Sequence, residues 1–180
     1  GDPRKVQAGF DTPILFGALT VKRTTDGEFT PYNTALLYDK NGQTQGSFDK
    51  NFLLIFGEYL PFASELGFFF FFIPAISNFA RGTTTTTFPL TLRGKQYALG
   101  PMICYEDIIP AFGRRLFADI NPPNLMVNIT NDAWFGATSE PYEHLALAVF
   151  RAVEHRVELV RAVNTGVSAF IDAAGRVYKK

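Results

Sequence analysis

Apolar runs of strand length recur along the chain and are separated by turn residues. Residues 13–21 form a continuous apolar run, which is typical of a strand buried on both faces of a layered sheet. Residues 33–39, 97–103 and 124–130 also have the length and composition of strands. The pattern therefore predicts a scaffold of strands joined by turns.

One turn is specific enough to predict how two strands pair. Asn41-Gly42 lies between two apolar stretches, and Asn-Gly readily adopts the positive φ of a tight turn. We therefore expect a hairpin that runs from Ala35 through Asn41-Gly42 to Ser47 and Phe48.

Helical periodicity is clear in the last third of the chain. Ser139-Glu140-Pro141 is typical of a helix start. The apolar residues that follow recur at helical spacing and predict one apolar stripe of an amphipathic helix, formed by Leu145, Ala148, Val149, Ala152 and Val153. On this helix His144 and His155 are expected to be polar-face or capping residues rather than metal ligands. Arg151 and Glu154 are spaced to pair one turn apart.

Two short strands are expected after this helix. Residues 159–163 and 167–172 are largely apolar and are joined through Asn164-Thr165-Gly166. Ala174-Gly175 then predicts a turn toward one further strand.

Composition limits the possible classes of function. With 180 residues, 47% of them hydrophobic, the chain can bury one sizeable core, as a single globular domain or part of one. Lys plus Arg and Asp plus Glu number 17 each and no basic cluster occurs, which argues against a nucleic-acid partner and leaves small molecules or lipids. No apolar run reaches the roughly 18 residues of a membrane-spanning helix. A single cysteine excludes an internal disulfide and a Cys-x-x-Cys metal site.

That cysteine lies at a predicted strand-to-helix turn. Residues 97–103 lead into Cys104, and residues 107–117 are expected to form a helix. A thiol at such a turn is accessible, and the backbone N–H groups that open the helix would favour its thiolate. The alternative is a small buried hydrophobic side chain, which describes most lone cysteines. A nucleophile therefore needs partners elsewhere in the sequence.

Lys50 and Glu58 lie on either side of residues 51–57, a largely apolar and aromatic segment that carries no charge. Burying an ammonium group is costly unless it is paired. Lys50 therefore either extends to water, with Glu58 a solvated carboxylate, or lies in a site where a carboxylate or an oxyanion balances its charge.

Two low-complexity blocks and one loop complete the pattern. Residues 68–72 are five consecutive phenylalanines, which form either a core segment or an exposed loop that enters a lipid interface or lines an acyl-chain groove. The threonine run 83–87 predicts a connecting strand or loop. Residues 131–136 form a polar-then-aromatic loop at the end of a predicted strand, where ligand contacts are often placed.

Four stretches in this order and spacing carry a family resemblance. Their sequences are Phe-Gly-Glu-Tyr-Leu-Pro at 56–61, Ile-Cys-Tyr-Glu-Asp at 103–107, Asn-Ile-Thr-Asn-Asp-Ala-Trp-Phe-Gly at 128–136, and Arg-Ala-Val-Glu at 151–154 with Arg-Ala-Val-Asn-Thr-Gly-Val-Ser at 161–168. Together they resemble the nitrilase superfamily of carbon-nitrogen hydrolases, and within it the apolipoprotein N-acyltransferase family. The resemblance covers the chain from about residue 13 onward.

The resemblance implies an α+β fold, the nitrilase-like αββα sandwich, incomplete at both ends, so that residues 1–180 would be a partial catalytic domain. It also implies a Glu-Lys-Cys triad in which Cys104 is the nucleophile and Lys50 the lysine. Glu58 matches an acidic partner in the catalytic set, and Tyr105 and Glu106 match supporting positions. The implied substrate-binding or lid residues are Trp134, Phe135, Phe69, Phe70 and Phe71.

The implied reaction uses no cofactor or metal. It moves an acyl chain from a phospholipid, through a thioester on Cys104, to the N-terminal amine of a diacylglyceryl-cysteine apolipoprotein. The implied location is the bacterial inner membrane, with the catalytic domain on the periplasmic side and the phenylalanine block at the membrane surface. The family's triad glutamate lies before the stretch where this sequence begins, and no residue here matches it, so we expect this chain to be inactive alone.

Two other functions remain open at this point. A soluble carbon-nitrogen hydrolase would use the same thiolate with water as the second substrate and would need no aromatic lipid patch. A non-catalytic lipid- or partner-binding remnant of the fold would need no base.

Overall fold

The computed structural model describes residues 9, 11–23, 27–55, 57–59, 78–136 and 138–179. Within them, nine strands form two sheets and two α-helices lie between strands of the second. The first sheet, in the order β1-β2-β3, is antiparallel and consists of β1 (Ile14–Arg23), β2 (Phe29–Tyr38) and β3 (Thr44–Asp49). The second sheet runs in the order β4 to β9 and consists of β4 (Phe88–Leu92), β5 (Lys95–Ile103), β6 (Leu125–Thr130), β7 (Leu159–Val163), β8 (Ala169–Ile171) and β9 (Val177–Lys179).

Strands β5, β6 and β7 are parallel, and the helices lie in the connections between them. Helix α1 (Pro110–Phe117) connects β5 to β6, and helix α2 (Glu140–His155) connects β6 to β7. Parallel neighbours require such crossover connections. Because all three parallel strands end on the same edge of the sheet, Cys104 after β5, Asn131 after β6 and Asn164 after β7 lie near one another.

The two faces of the second sheet are covered differently. Ile129 on β6 points toward the first sheet, where its side chain lies 3.4 Å from the position that a Cβ on Gly17 would occupy. The next residue, Thr130, points to the opposite face and hydrogen bonds to Asp132, which in turn contacts His144 of α2. Since successive strand residues point to opposite faces, the layers are sheet, sheet and helix. This confirms the predicted α+β class.

The core fills the space between these layers. Phe48 and Phe88 come from the two sheets, and the Phe88 ring approaches so closely that a Cβ on Gly46 would lie 2.3 Å from it. The predicted hairpin is confirmed, since Ala35 pairs with Phe48 across β2 and β3 and Gly42 has a φ of 75°. The predicted helix start at Ser139, the two strands after α2 and the further strand after Gly175 are also confirmed.

Three predicted details are wrong. Strand β1 is not buried on both faces: Leu19 is 71% and Val21 is 63% exposed, so the described residues leave this end of one face uncovered. The helix after Cys104 does not begin at Asp107, because Ile109 is held extended by the proline that follows it and α1 therefore starts at Pro110. His144 is fully buried rather than on the polar face of α2, for reasons given below.

The outcomes for the membrane-spanning helix, the threonine run and the phenylalanine block are as follows. No helix in the described ranges is both long enough and apolar enough to cross a bilayer. Residues 83–87 are an irregular connection that leads into β4, as the loop alternative predicts. The phenylalanine block at 68–72 lies outside the described residues.

Candidate active site

Cys104 lies at a strained turn directly after β5. It is the first residue of a short 3-10 helix, Cys104–Ile108. Its φ of 54° lies in the left-handed backbone region, which residues other than Gly, Asn and Asp rarely adopt. The Asn128 side chain donates a 2.8 Å hydrogen bond to the Cys104 carbonyl oxygen, and Asn128 itself is fully buried on the adjacent strand. Such strain persists only where the surroundings hold it, which is common at nucleophile turns.

The thiol faces a cavity of about 750 Å³ between the two sheets. Lys50, Glu58 and Tyr105 line this cavity together with Cys104, so the structure brings four of the predicted site residues together. The remaining walls are mostly apolar and include Leu15, Phe16, Gly17, Ala18, Leu19, Leu54, Phe79, Ile103, Ile129, Ala162 and Val163. Among the described residues, the further polar members of the lining are Asn33, Thr130, Asn131, Asn164 and Ser168.

Lys50 and Glu58 form a buried ion pair. The Lys50 ammonium donates a 2.5 Å hydrogen bond to Glu58 Oε2, and the residues are 2% and 8% exposed. Glu58 is itself fixed, because it accepts hydrogen bonds from Asn33 Nδ2 at 2.9 Å and from the Leu54 backbone N–H at 2.9 Å. Lys50 therefore does not extend to water, and its position is determined by a carboxylate that is already anchored.

Burial raises the pKa of the Cys104 thiol above its ordinary value. The Lys50 ammonium opposes this shift, as do hydrogen bonds to the sulfur from the Thr130 hydroxyl and the Tyr105 backbone N–H, whereas the Glu58 charge adds to it. The Tyr105 backbone N–H favours the thiolate, as expected of N–H groups at the start of a helix, but desolvation outweighs it and the net pKa is raised. Lys50 is the largest of the influences that favour the thiolate.

Glu106 holds the Lys50 segment against the Cys104 turn. Its Oε1 accepts hydrogen bonds from the backbone N–H of Asn51 at 2.6 Å and of Phe52 at 3.1 Å, and its Oε2 accepts one from Ile103 at 2.8 Å. The residue is fully buried, and this desolvation raises its pKa to about 7 despite the three N–H donors and the nearby Lys50. Glu106 thus connects the residue after Lys50 to the residue before Cys104.

Tyr105 has two contacts beyond the cavity. Its hydroxyl donates a short hydrogen bond to the Glu140 carboxylate, and its ring stacks on the His144 imidazole with 4.6 Å between centroids. Burial raises the pKa of the Tyr105 hydroxyl, and the Glu140 carboxylate adds to this shift. The Tyr105 side chain therefore packs toward α2, while the Tyr105 backbone N–H donates a hydrogen bond to the Cys104 sulfur.

A fully buried charge cluster behind the turn was not predicted. It consists of Asp107, Asp132, His144 and Arg161. His144 Nε2 lies 2.9 Å from Asp107 Oδ1 and His144 Nδ1 lies 3.2 Å from Asp132 Oδ1, while Arg161 donates to Asp107 Oδ2. One sequence signal could have placed His144 here, because it directly precedes Leu145 and falls on the apolar stripe of α2. The predicted Arg151–Glu154 pair, at the other end of the helix, is confirmed.

The remaining predicted residues are only partly described. The backbone of Trp134 and Phe135 belongs to a second 3-10 helix, Asp132–Phe135, after β6, which begins where the Asn131 side chain accepts a hydrogen bond from the Ala133 N–H at 3.2 Å. Phe69, Phe70 and Phe71 lie outside the described residues. Their role as a lid or lipid contact stays a prediction.

This arrangement suits covalent acyl chemistry. The Cys104 thiol, the Lys50 ammonium and the Tyr105 backbone N–H meet at one cavity. An ammonium and an N–H can stabilise the oxyanion that forms when a thiolate attacks a carbonyl. A strained cysteine after a strand lies beside a buried lysine–glutamate pair, and two sheets face each other across the cavity. This is the arrangement expected of the nitrilase-like class.

Comparison with known proteins agrees with that class. A family model for carbon-nitrogen hydrolases matches residues 9–180, and the chain belongs to this family. It is 42% identical over 153 residues to the apolipoprotein N-acyltransferase of Geobacter metallireducens, covering 84% of this chain and 28% of that protein. It is 38% identical over 172 residues to the apolipoprotein N-acyltransferase of Rhizobium rhizogenes, covering 93% of this chain and 31% of that protein. The chain thus spans about a third or less of the length of these relatives.

Solved structures show the same fold. An amidase from Nesterenkonia sp. AN1, with the acetamide moiety of fluoroacetamide covalently added at its active-site cysteine, superimposes with a TM-score of 0.64 at 22% identity and covers 97% of this chain and 58% of that chain. A CN-hydrolase superfamily protein from Xanthomonas campestris gives a TM-score of 0.62 at 20% identity, covering 92% of this chain and 57% of that chain. These likenesses confirm the predicted nitrilase-like sandwich.

Proposed function

We propose that this chain carries the nucleophile of an apolipoprotein N-acyltransferase. Cys104 takes an acyl chain from a phospholipid, holds it as a thioester and passes it to the N-terminal amine of a diacylglyceryl-cysteine apolipoprotein. The observation that carries the proposal is that Cys104 and the paired Lys50 line one cavity whose other walls are mostly apolar. The relatives named above support it, since they carry this name and match most of the chain.

The site geometry supports the following first half of the proposed reaction. The Cys104 sulfur attacks the ester carbonyl, so that a carbon–sulfur bond forms and the carbon–oxygen bond to the lysophospholipid breaks. The thiol proton leaves with the lysophospholipid alcohol. Negative charge on the carbonyl oxygen is stabilised by the Lys50 ammonium and the Tyr105 backbone N–H. Glu58 keeps the ammonium in place and Glu106 keeps its segment against the turn.

The second half needs a base and an amine. The acceptor amine attacks the thioester carbonyl, loses a proton and expels the Cys104 thiolate. We propose that a glutamate outside this chain accepts that proton, that residues 1–180 are part of a larger catalytic domain, and that this chain does not complete the transfer alone. We further propose that the domain works on the periplasmic side of the bacterial inner membrane, with Phe69, Phe70 and Phe71 at the membrane surface and Trp134 and Phe135 beside the substrate.

The apolar cavity makes the proposal testable through chain length. The purified chain is mixed, in micelles of one composition, with p-nitrophenyl palmitate or p-nitrophenyl acetate, whose leaving group needs no proton. We expect Cys104 to be acylated at least about tenfold faster by the palmitoyl ester, because the long chain gains burial in the cavity. Cys104→Ser is the control for acylation elsewhere. A preference for the acetyl ester, with rapid hydrolysis of the adduct, would indicate a soluble carbon-nitrogen hydrolase instead.

A further inference from the structure

An irregular segment, residues 79–84, holds the backbone of both members of the Lys50–Glu58 pair. The Phe79 N–H donates a 3.0 Å hydrogen bond to the Glu58 carbonyl oxygen, and the Gly82 N–H donates a 2.8 Å hydrogen bond to the Lys50 carbonyl oxygen. The reaction described above uses the side chains of the pair and gives this segment no part. One short segment therefore sets the spacing of the two backbones that carry the pair.

Gly82 can lie this close to the Lys50 backbone only because it has no side chain. A Cβ on Gly82 would overlap the Asp49 carbonyl oxygen and would lie 3.0 Å from Asn51 Nδ2. A backbone oxygen at the end of a strand cannot move aside as a flexible side chain can. Any larger residue at this position would therefore push the 79–84 segment away from Lys50.

The Asn51 side chain ties the same segment to the strand that ends before Lys50. Its Nδ2 donates hydrogen bonds to the Asp49 carbonyl oxygen at 2.8 Å and to the Thr84 carbonyl oxygen at 3.1 Å. Its Oδ1 accepts a hydrogen bond from Arg115. Asn51 is only 2% exposed, so these partners satisfy its amide in place of water. An alanine at this position would remove the tie to Thr84.

Both backbone hydrogen-bonding groups of Lys50 thus have partners. Its N–H donates a 2.8 Å hydrogen bond to the Asn33 carbonyl oxygen, and its carbonyl oxygen accepts from Gly82. A lysine ammonium is carried on a flexible four-carbon stem, so its position is defined only when the backbone at one end and the ion pair at the other are both held. Glu58 holds the ammonium end.

We propose that Gly82 and Asn51 are positioning residues for Lys50, which hold its backbone so that its ammonium meets the oxyanion formed during acylation. This inference rests on the proposed role of Cys104 as the nucleophile that takes an acyl group. An ammonium stabilises the oxyanion only where the negative charge develops, so a small displacement lowers the rate of acylation without removing the thiol.

Two reactions of the same thiol separate positioning from folding. Acylation by p-nitrophenyl acetate passes through an oxyanion and releases p-nitrophenolate, whereas alkylation by iodoacetamide displaces iodide and forms no oxyanion. Both reactions depend on the thiolate, so a change in the thiolate fraction cancels when the acylation rate is divided by the alkylation rate at one pH. Because Cys104 is the only cysteine in the chain, intact mass follows both adducts.

Gly82→Ala and Asn51→Ala should each lower this ratio by about tenfold or more, since an ammonium displaced by about 1 Å stabilises the oxyanion poorly. Thr83→Ala is the matched control, because the exposed Thr83 side chain takes part in none of these hydrogen bonds, and it should keep the wild-type ratio. In the Lys50→Met/Glu58→Gln background neither alanine substitution should lower the ratio further, because no ammonium remains to be displaced. Equal slowing of both reactions, or an undiminished effect in that background, would overturn the proposal.

Amide hydrogen exchange of the unchanged protein covers the case in which the variants fail to fold. The Phe79 and Gly82 N–H groups should exchange as slowly as the Lys50 N–H, which bonds to β2. Exchange at the rate of a solvent-exposed amide would show that the segment does not hold the pair and would overturn the proposal.

The inference and the proposed function fail in different ways. The acetyl ester reports the ratio whether or not Cys104 prefers a palmitoyl chain, so a preference for the acetyl ester would overturn the function and leave the inference standing. An unchanged ratio in the alanine variants would overturn the inference alone. A wild type that neither ester acylates would overturn both.

Discussion

Lys50 Nζ and Glu58 Oε2 lie 2.5 Å apart in the wall of the cavity that contains the Cys104 thiol. Both side chains are almost completely buried. Paired charges of this kind are costly to desolvate, and removing one partner leaves the other without compensation. The pair is therefore expected to affect stability and chemistry in ways that can be separated.

Lys50→Met should destabilise the fold by about 3–5 kcal/mol, because Glu58 would remain as a buried carboxylate without its cation. The double variant Lys50→Met/Glu58→Gln removes both charges and should recover most of that loss. Chemical denaturation of the three proteins measures the free energies of unfolding. Equal stability of the single variant and wild type would show that the pair does not exist in solution.

Cys104→Gly should be more stable than Cys104→Ala by about 1 kcal/mol, because the backbone at this position has a positive φ that glycine adopts without steric cost. Both variants lose the thiol, so their difference isolates backbone strain. Thermal and chemical unfolding provide the comparison. A more stable alanine variant would contradict the strained geometry of the turn.

Glu106→Gln should remove one component of the pH dependence of stability. Burial raises the pKa of Glu106 from 4.5 to about 7, so the folded state keeps a proton that the unfolded state has already lost in that range. The free energy of unfolding of wild type should therefore fall by about 3 kcal/mol from this group as pH rises from about 4.5 to about 7.

The glutamine variant does not titrate, so the difference between the two pH profiles is the quantity to measure. Its amide has one oxygen acceptor for three N–H donors, so it should also be less stable than wild type at low pH, by about 1–3 kcal/mol. Parallel profiles would show that Glu106 remains ionised throughout.

Local signals predicted the strand pairing and helix start correctly. Asn41-Gly42 fixes the hairpin because its turn geometry depends only on neighbouring residues, and Ser139-Glu140-Pro141 fixes the start of α2 for the same reason. Pro110 is an equally local signal, and closer attention to it would have placed the start of α1 correctly. The exposure of β1 could not be read in this way, because an apolar run does not reveal which elements pack over the two faces of its strand.

Contacts between residues that are far apart in the sequence were harder to predict. Packing of the two sheets places Lys50 and Cys104 at the same cavity, and no local sequence pattern encodes that packing. Their proximity was expected only from the family resemblance. The His144 cluster was missed because each of its charges looks solvated until its partners on other elements are known. The direction of the Cys104 pKa shift was missed because burial at the turn depends on the surrounding layers.

Replacing Phe69, Phe70 and Phe71 with serine should weaken binding to liposomes without lowering thermal stability, if the block contacts lipid. A matched control is the pair Tyr142→Ser/Phe150→Ser, which removes exposed aromatic side chains from α2. Co-sedimentation with liposomes and a thermal melt are both required. Loss of the folded state in the triple variant would instead indicate that the block belongs to the core.

The most direct test of the account is the rate and position of acylation by p-nitrophenyl palmitate. Intact mass followed by peptide mapping should place a single palmitoyl thioester, released by hydroxylamine, on Cys104. Lys50→Met/Glu58→Gln, which retains charge balance, should slow its formation by about a hundredfold or more, because the oxyanion loses its ammonium. An adduct on another residue, or an unchanged rate in the double variant, would contradict the pairing of Cys104 with Lys50.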